Sequence, residues 1–508
     1  MHEVLANLGY LLDVFTLYNM AAMLLGICVG LVIGAIPGLN PPMAIALLIP
    51  LSFQMPPATA LILLTSVYAA GMYGGSFSAI LLRAPGTSAS AATAIEGWEM
   101  TIRGKAVQAV RVSTFASVVG GVLSALVLIL VAPPAAKVAL LFQPAEYFLV
   151  GLLGLVSIAS VSFKSLSKGL ISGFIGIVMS TVGIDMKSAF PRFTFDMMAL
   201  EGGLGIMPAI IGLFALAQAL SIAEGDASAT ILKTGETHKV KWELWPKWSE
   251  IVYLRWVLIR SWIIGIIIGI IPAAGGSVAQ WIAYSDAIRR AKPGDCFGQG
   301  EIKGLAACEA SNNAVTGTSM IPMFILGIPG GISAAVIMGA LMIHGLNPGM
   351  RLFTESAGVV YPVMWGFLVA NIVMGFFSVW VARSMAYVTF FPRGLLAPLI
   401  ITFSFAGQYA SSGNIYDVWV MMFFGILGYV MEKFDFVPAA TLLGLILGPI
   451  CEAGFRDWFI VSHGNPVSYL LGRPMADALL ALLAVMLWYS IQHKRRLKSR
   501  GSVAEEPA

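Results

Sequence analysis

The stretch GAIPGLNPPMAIALLIP, Gly34 to Pro50, lies inside a run with no charged side chain from Val14 to Leu82. It interrupts that apolar run with glycines, four prolines and an asparagine. A chain in hydrocarbon must satisfy every backbone N–H and C=O internally, so irregular backbone is tolerated there only beside protein or a water-filled cavity. The break is therefore the first pointer to function.

The rest of the chain supports a membrane setting. Of 508 residues, 58% are hydrophobic and 11% charged, against about 25% charged in soluble domains. Uncharged runs such as Val112–Ala136, Gly202–Ala223 and Ala357–Ala382 approach the ~20 residues a spanning helix needs. The expected fold is an all-α polytopic membrane protein of about 10–14 spans, the broken ones blurring the count. The start MHEVLANLGYLLDVF has no basic n-region or small-residue cleavage site, so no removable signal peptide is expected. Cys28, Cys296, Cys308 and Cys451 are scattered, without metal-site or disulfide spacing. The net charge of +4 calls for no nucleic-acid partner. The tail HKRRLKSR, His493–Arg500, follows the last apolar run and places the C-terminus in the cytoplasm by the positive-inside rule.

One long polar segment, residues 224–255, divides the chain into halves: 1–223 and 256–492, with a cytoplasmic tail at 493–508. Its Trp242, Trp245 and Trp248 read as interfacial aromatics, or as an anchor for a partner subunit. Each half holds the same two breaks in the same order. The first is Gly30-x-x-x-Gly34-x-x-Pro37 in one half and Gly265-x-x-x-Gly269-x-x-Pro272 in the other. The second is an apolar run ending in Pro-Gly: SAILLRAPG, Ser78–Gly86, and PMFILGIPG, Pro322–Gly330. Basic residues follow the second break in the first half (Arg103, Lys105, Arg111) but the first break in the second half (Arg289, Arg290, Lys292). Basic loops face the cytoplasm, so the two copies are expected to be inverted.

Inverted repeats with discontinuous helices are a transporter architecture, with the site where half-helix ends meet near the midplane. Met43–Phe53 makes about 16 Å of helix at 1.5 Å per residue, half of a roughly 30 Å hydrocarbon core. Asn40 before Pro41 and Pro42 reads as an N-cap followed by prolines at positions whose missing N–H costs nothing. Ser277 is its counterpart in the second half. GTSASAAT and GGISAAV read as two further helix starts, with Thr87, Ser88, Ser90 and Ser333 as hydroxyls and open N–H groups at Gly86, Gly330 and Gly331. Helix N-termini favour anions. Substrate carboxylates are therefore expected around Gly38, Leu39, Asn40, Thr87, Ser88, Ser90, Ser277, Gly330 and Gly331. The alternative for any single residue is a simple kink or a hydroxyl bonded back to its own helix.

CEASNNAVTG, Cys308–Gly317, places Glu309, Asn312 and Asn313 in an apolar stretch. Intramembrane ionisable groups are functional by default, the alternative being a Glu at a helix end near the headgroups. These three are assigned to the coupling cation. Ser76, in the first half's YAAGMYGGSFSA, and Arg83, directly before Ala84-Pro85-Gly86, join the substrate set, Arg83 through guanidinium–carboxylate geometry or else as a snorkelling side chain. No P-loop, HExxH or supported GxSxG occurs, and an enzyme is not expected.

Three segments carry a family resemblance: PGLNPPMAIALLIPLSFQMPPATAL, YGGSFSAILLRAPGTSASAATAIEGWEM, and FGQGEIKGLAACEASNNAVTGTSMIPMFILGIPGGISAAVIMGALMIHGLNPG. They resemble the large membrane subunit of tripartite tricarboxylate transporters over nearly the whole chain. The resemblance implies a bacterial inner-membrane protein that imports organic carboxylates, driven by a sodium or proton gradient, without a cofactor. It also implies a small four-helix membrane subunit, a periplasmic solute-binding protein that delivers the substrate, and an elevator-like motion. The chain departs from the family pattern at Cys308, where proline is usual, at Ala273, where glycine is favoured, and at Arg83, where asparagine is common. A passive anion channel and a membrane scaffold are the rival readings. A channel needs a continuous polar path, whereas these breaks are local.

Overall fold

A computed structural model describes residues 7–139, 141–161, 166–185, 187–224, 245–272, 275–388 and 393–501. Helix dominates. In chain order the principal helices are α1 (Leu17–Ala35), α2 (Pro41–Ser52), α3 (Pro57–Leu82), α4 (Thr93–Ile102), α5 (Ala106–Ala139), α6 (Pro144–Val161) and α7 (Leu166–Ser180). After α8 (Ile206–Glu224) come α9 (Trp248–Ile270), α10 (Gly275–Arg289), α11 (Ile302–Thr318), α12 (Met320–Leu326) and α13 (Ile332–Ile343). The last are α14 (Ala357–Val388), α15 (Arg393–Ser412), α16 (Ile415–Lys433), α17 (Pro438–Val461) and α18 (Pro474–Gly501). Strands β1 (Gly183–Ile184) and β2 (Pro191–Arg192) form a short antiparallel hairpin. Among the described residues eight helices are long and apolar enough to cross a membrane, and five more are apolar but only 10–17 residues long. This is an all-α polytopic membrane protein.

The helices fall into two compact units that cut across the halves of the sequence. One combines residues up to Ala136 with Met207–Tyr429; the other combines Lys137–Ile206 with the chain from Val430 onward. In the first unit α1 packs along α3, and α9 along α11. Glycines make both approaches close. A Cβ on Gly34 would lie 2.3 Å from the Gly71 carbonyl oxygen, and one on Gly265 would lie 2.4 Å from that of Ser311. This is the small-residue packing that membrane helices use in place of a hydrophobic driving force.

The breaks fall where the prolines put them, with matching backbone geometry in the two halves. α1 ends at Ile36 (φ −85°, ψ 114°) with its N–H on the Ile33 carbonyl; α9 ends at Ile271 (φ −73°, ψ 118°) with its N–H on that of Ile268. α3 ends at Arg83 and α12 at Gly327, both left-handed (φ 56° and 69°). The next N–H reaches back six residues each time, Ala84 to Ser78 and Ile328 to Pro322, both at 3.3 Å.

One expected boundary moves, and one helix runs on past its apolar run. Helix α9 starts at Trp248, so residues 248–255 are its first two turns rather than linker; Glu250 caps it through the Lys247 N–H and pairs with Arg111 at 2.7 Å. The last helix runs on through the basic tail to Gly501, since Lys and Arg are good helix formers and no proline intervenes. Residues 225–244, with Trp242, and Ala273 lie outside the described residues; Trp245 and Trp248 are both exposed.

Candidate functional site

Helix α11 is continuous through Glu309, Asn312 and Asn313, and all three side chains are fully buried in the first unit. Glu309 therefore sits in mid-helix, and the headgroup alternative does not hold. Its Oε2 accepts from the hydroxyls of Ser76 (2.5 Å) and Ser117 (3.0 Å), and its Oε1 from that of Thr93 (2.5 Å). One carboxylate thus joins α3, α4 and α5 to α11. Unpaired, it would carry a heavy desolvation cost; three hydroxyl donors offset much of that.

Three contacts fix how α3 and α11 cross: Ser76 with Glu309, Met72 O with Asn312 Nδ2 at 3.4 Å, and Tyr68 OH with Ser319 Oγ at 3.1 Å. As numbers rise along one helix they fall along the other, so the two run antiparallel. Asn312 Oδ1 and both amide atoms of Asn313 are buried with no partner among the described residues. Buried amide atoms are almost always paired, which makes these three the candidate ligand positions on α11.

The helix starts gather beside that point. Asn40 caps α2, its Oδ1 accepting from the Met43 N–H at 2.9 Å. Pro41 packs against Gly71 in the middle of α3. Gly276, in the first turn of α10, faces the next residue of α3: a Cβ there would lie 2.8 Å from Met72 Cε and 2.6 Å from Asn312 Oδ1. Ser277 Oγ is 3.1 Å from Ser88 Oγ, joining the second half to the first. Gly331, which opens α13 without a side-chain cap, lies within van der Waals reach of the Gly275 Cα.

Other expected residues are engaged within the chain. The segment after Pro85-Gly86 opens with one 3-10 turn, Ser88–Ser90, and α4 follows from Thr93. Thr87 and Ser90 are buried in a reciprocal capping box, their hydroxyls 3.1 Å apart. The Gly86 and Gly330 N–H groups donate to the carbonyls of Gly75 (3.4 Å) and Ser319 (3.0 Å), so they are not the open donors expected. The reason is the close approach of each turn to a glycine break: a Cβ on Gly86 would lie 2.0 Å from Gly34 O, and one on Gly330 2.8 Å from Gly269 O. Leu39 is buried; Gly38 is exposed at φ 95°. Arg83 is exposed at the α3 terminus and makes no ion pair among the described residues.

Sequence reasoning missed four polar partners. Gln218 on α8 donates to Gly38 O at 2.8 Å and lies 3.5 Å from Asn40 Nδ2. Gln280 on α10 bonds the Ser88 carbonyl, at the start of the turn, and the Ala92 N–H, at the N-cap of α4. Ser117 reaches Glu309. Glu96 on α4 is fully buried and accepts from Tyr284 OH and the N–H groups of Gly298, Gly300 and Glu301, at 2.6–2.8 Å. Each is a lone polar residue in an apolar or helical stretch, a weak signal until its distant partner is known. A cavity of about 610 Å³ between α6 and α17, lined by residues such as Phe142, Tyr147, Pro449 and Asp457, belongs to the second unit and shares no residue with this cluster.

Comparison with known proteins agrees with a transporter. The profile described as "Tripartite tricarboxylate transporter TctA family" matches residues 20–443. A protein of Agrobacterium vitis described as "Uncharacterized 52.8 kDa protein in TAR-I ttuC' 3'region" is 32% identical over 500 residues, 97% of this chain and 98% of its own. A second from the same organism, "Uncharacterized protein in TAR-II ttuC' 3'region", is 32% identical over 235 residues, 46% of this chain and 97% of its own. No solved structure matches. With four-fifths of its length covered by one profile and a relative matching it almost end to end, the chain belongs to the tripartite tricarboxylate transporter TctA family.

Proposed function

We propose that this chain imports organic carboxylate anions, di- or tricarboxylates or related acids, across the bacterial inner membrane, coupled to a sodium or proton gradient. The observation that carries the reading is Asn312 Oδ1, without a partner among the described residues, beside the first turn of α10, where Ser277 meets Ser88 and Gly275 meets Gly331. Free helix N-termini suit a carboxylate, and amide oxygens suit a cation. Substrate takes the α2, α10 and α13 starts; the cation takes Asn312 and Asn313, with Glu309 holding the surrounding helices. Coupling follows if each ligand stabilises the state the other needs.

The matched backbone breaks and the antiparallel crossing of α3 and α11 support inverted repeats. The basic tail supports a cytoplasmic C-terminus. A small four-helix membrane subunit and a periplasmic binding protein complete the transporter, and the family's elevator-like motion is proposed here too.

The test is uptake of radiolabelled organic acids into proteoliposomes holding this chain with its small subunit and binding protein. Accumulation that requires an imposed sodium or proton gradient is the expected result and identifies both acid and ion. Equilibration that ignores both gradients means a channel. Co-purifying partners without solute movement mean a scaffold.

A further inference from the structure

The turn Ser88–Ser90 comes from the first half of the chain and α10 from the second, yet their hydroxyls meet at Ser88 and Ser277, 3.1 Å apart. Hydroxyls on two short side chains do not hold two segments in register. Gln280 does. It lies three residues beyond Ser277 on the same face of α10 and is fully buried. Its Nε2 donates to the Ser88 carbonyl at 2.8 Å, and its Oε1 accepts from the Ala92 N–H at 3.2 Å. The first opens the turn and the second lies just past it, at the N-cap of α4, so one carboxamide spans the turn and ties it to the helix start that follows.

We propose that Gln280 is a positioning residue: it fixes the Ser88 turn against the first turn of α10 and thereby sets the affinity of the site for its anion. The inference rests on the functional reading above, since it takes the Ser88–Ser277 contact as part of the substrate site. Few side chains can replace it. A carbonyl and an N–H must be served at once, which requires one donor and one acceptor on the same planar group. A glutamate carboxylate serves Ala92 and repels the Ser88 carbonyl, whereas a protonated glutamate again offers one donor and one acceptor.

The experiment is uptake by the complete transporter in proteoliposomes, comparing wild type with Gln280→Leu and Gln280→Glu. Gln280→Leu removes the partner of the buried Ala92 N–H and of the Ser88 carbonyl, and KM should rise about tenfold while the maximal rate stays within about twofold. For Gln280→Glu, the ratio of its KM to the wild-type KM should be raised at neutral pH and fall toward one as the pH is lowered. An unchanged KM in Gln280→Leu, or a lost maximal rate at constant KM, overturns the proposal. Should Gln280→Leu fail to fold, a pH-independent KM ratio in Gln280→Glu overturns it equally. A readout independent of transport separates this idea from the one beneath it: oxidative cross-linking of a Ser88→Cys/Ser277→Cys pair should slow markedly when Gln280→Leu is added. Gln280-dependent cross-linking in a protein that moves no acid defeats the functional reading and keeps the positioning role. Cross-linking indifferent to Gln280 defeats the positioning role.

Discussion

Asn40 has two duties that substitution can separate. Its side chain caps α2, and its position at the α2 start puts it where the proposed substrate carboxylate arrives. Aspartate caps a helix about as well as asparagine, whereas alanine costs about 1 kcal/mol. Asn40→Asp should therefore fold normally and yet bind substrate poorly, because it sets a negative charge against an incoming anion. Asn40→Ala should lower stability by about that amount and raise KM more modestly. Melting curves and uptake kinetics on the same preparations distinguish the two; equal KM values in wild type and Asn40→Asp remove Asn40 from the site. Glu309 calls for a different pair. Glu309→Leu strands the hydroxyls of Ser76, Thr93 and Ser117 in a dry interior, at about 1–3 kcal/mol each. It should yield little folded protein by size-exclusion chromatography. Glu309→Gln keeps an acceptor oxygen and should fold, with the melting temperature lowered.

At the scale of elements, the two segments that follow the Pro-Gly breaks are held in opposite ways. From Ser88 to Glu96 the first is tied to α10, α11 and the loop between them by Ser88–Ser277, Ala92–Gln280, Thr93–Glu309 and the Glu96 carboxylate with its four donors. The second, α13, packs on α2 and α3 without a side-chain hydrogen bond among the described residues. Polar links in a low-dielectric interior are costly to break, while apolar helix contacts can slide. Binding of substrate should therefore raise hydrogen-exchange protection over residues 327–343 far more than over 87–102; a larger change in the earlier segment would reverse that assignment. The breaks themselves were legible, because Pro37, Pro85, Pro272 and Pro329 remove donors and glycine permits close contact. The grip on each segment was not: Gln280 finds Ser88 across 192 residues and Glu309 finds Thr93 across 216, and periodicity carries no information about such pairs. The helix start at Trp248 was missed for a simpler reason, since the polar composition of residues 248–255 was read as linker.

Over the whole molecule, every residue proposed for the site lies in the first unit, and the second holds a separate polar clamp. Its β1–β2 hairpin is fastened to α17 by Asp185 with Arg456 (2.8 Å), Arg192 with Glu452 (2.6 Å) and Lys187 with Asp457. The Lys187 N–H, the Arg456 guanidinium and the Ser188 hydroxyl hold the Asp185 carboxyl well below the usual carboxylate range. A carboxyl depressed in the folded state contributes stability above its unfolded pKa of about 3.9, and that contribution is lost as pH falls through the folded value. Exchange-corrected protection of residues 183–192 should thus be constant from pH 7 to pH 5 and decline only on acidification below about 4. Asp185→Asn removes that charge at every pH, so its hairpin should be looser at pH 7 and lose less on acidification than wild type, the Glu452 and Asp457 pairs remaining. Because Asp185 belongs to the unit without the site, the substrate KM of Asp185→Asn should match wild type even where its melting temperature is lower. A KM shifted in step with the hairpin would show that anion affinity is governed from both units, and would move the search for substrate determinants into the clamp on α17.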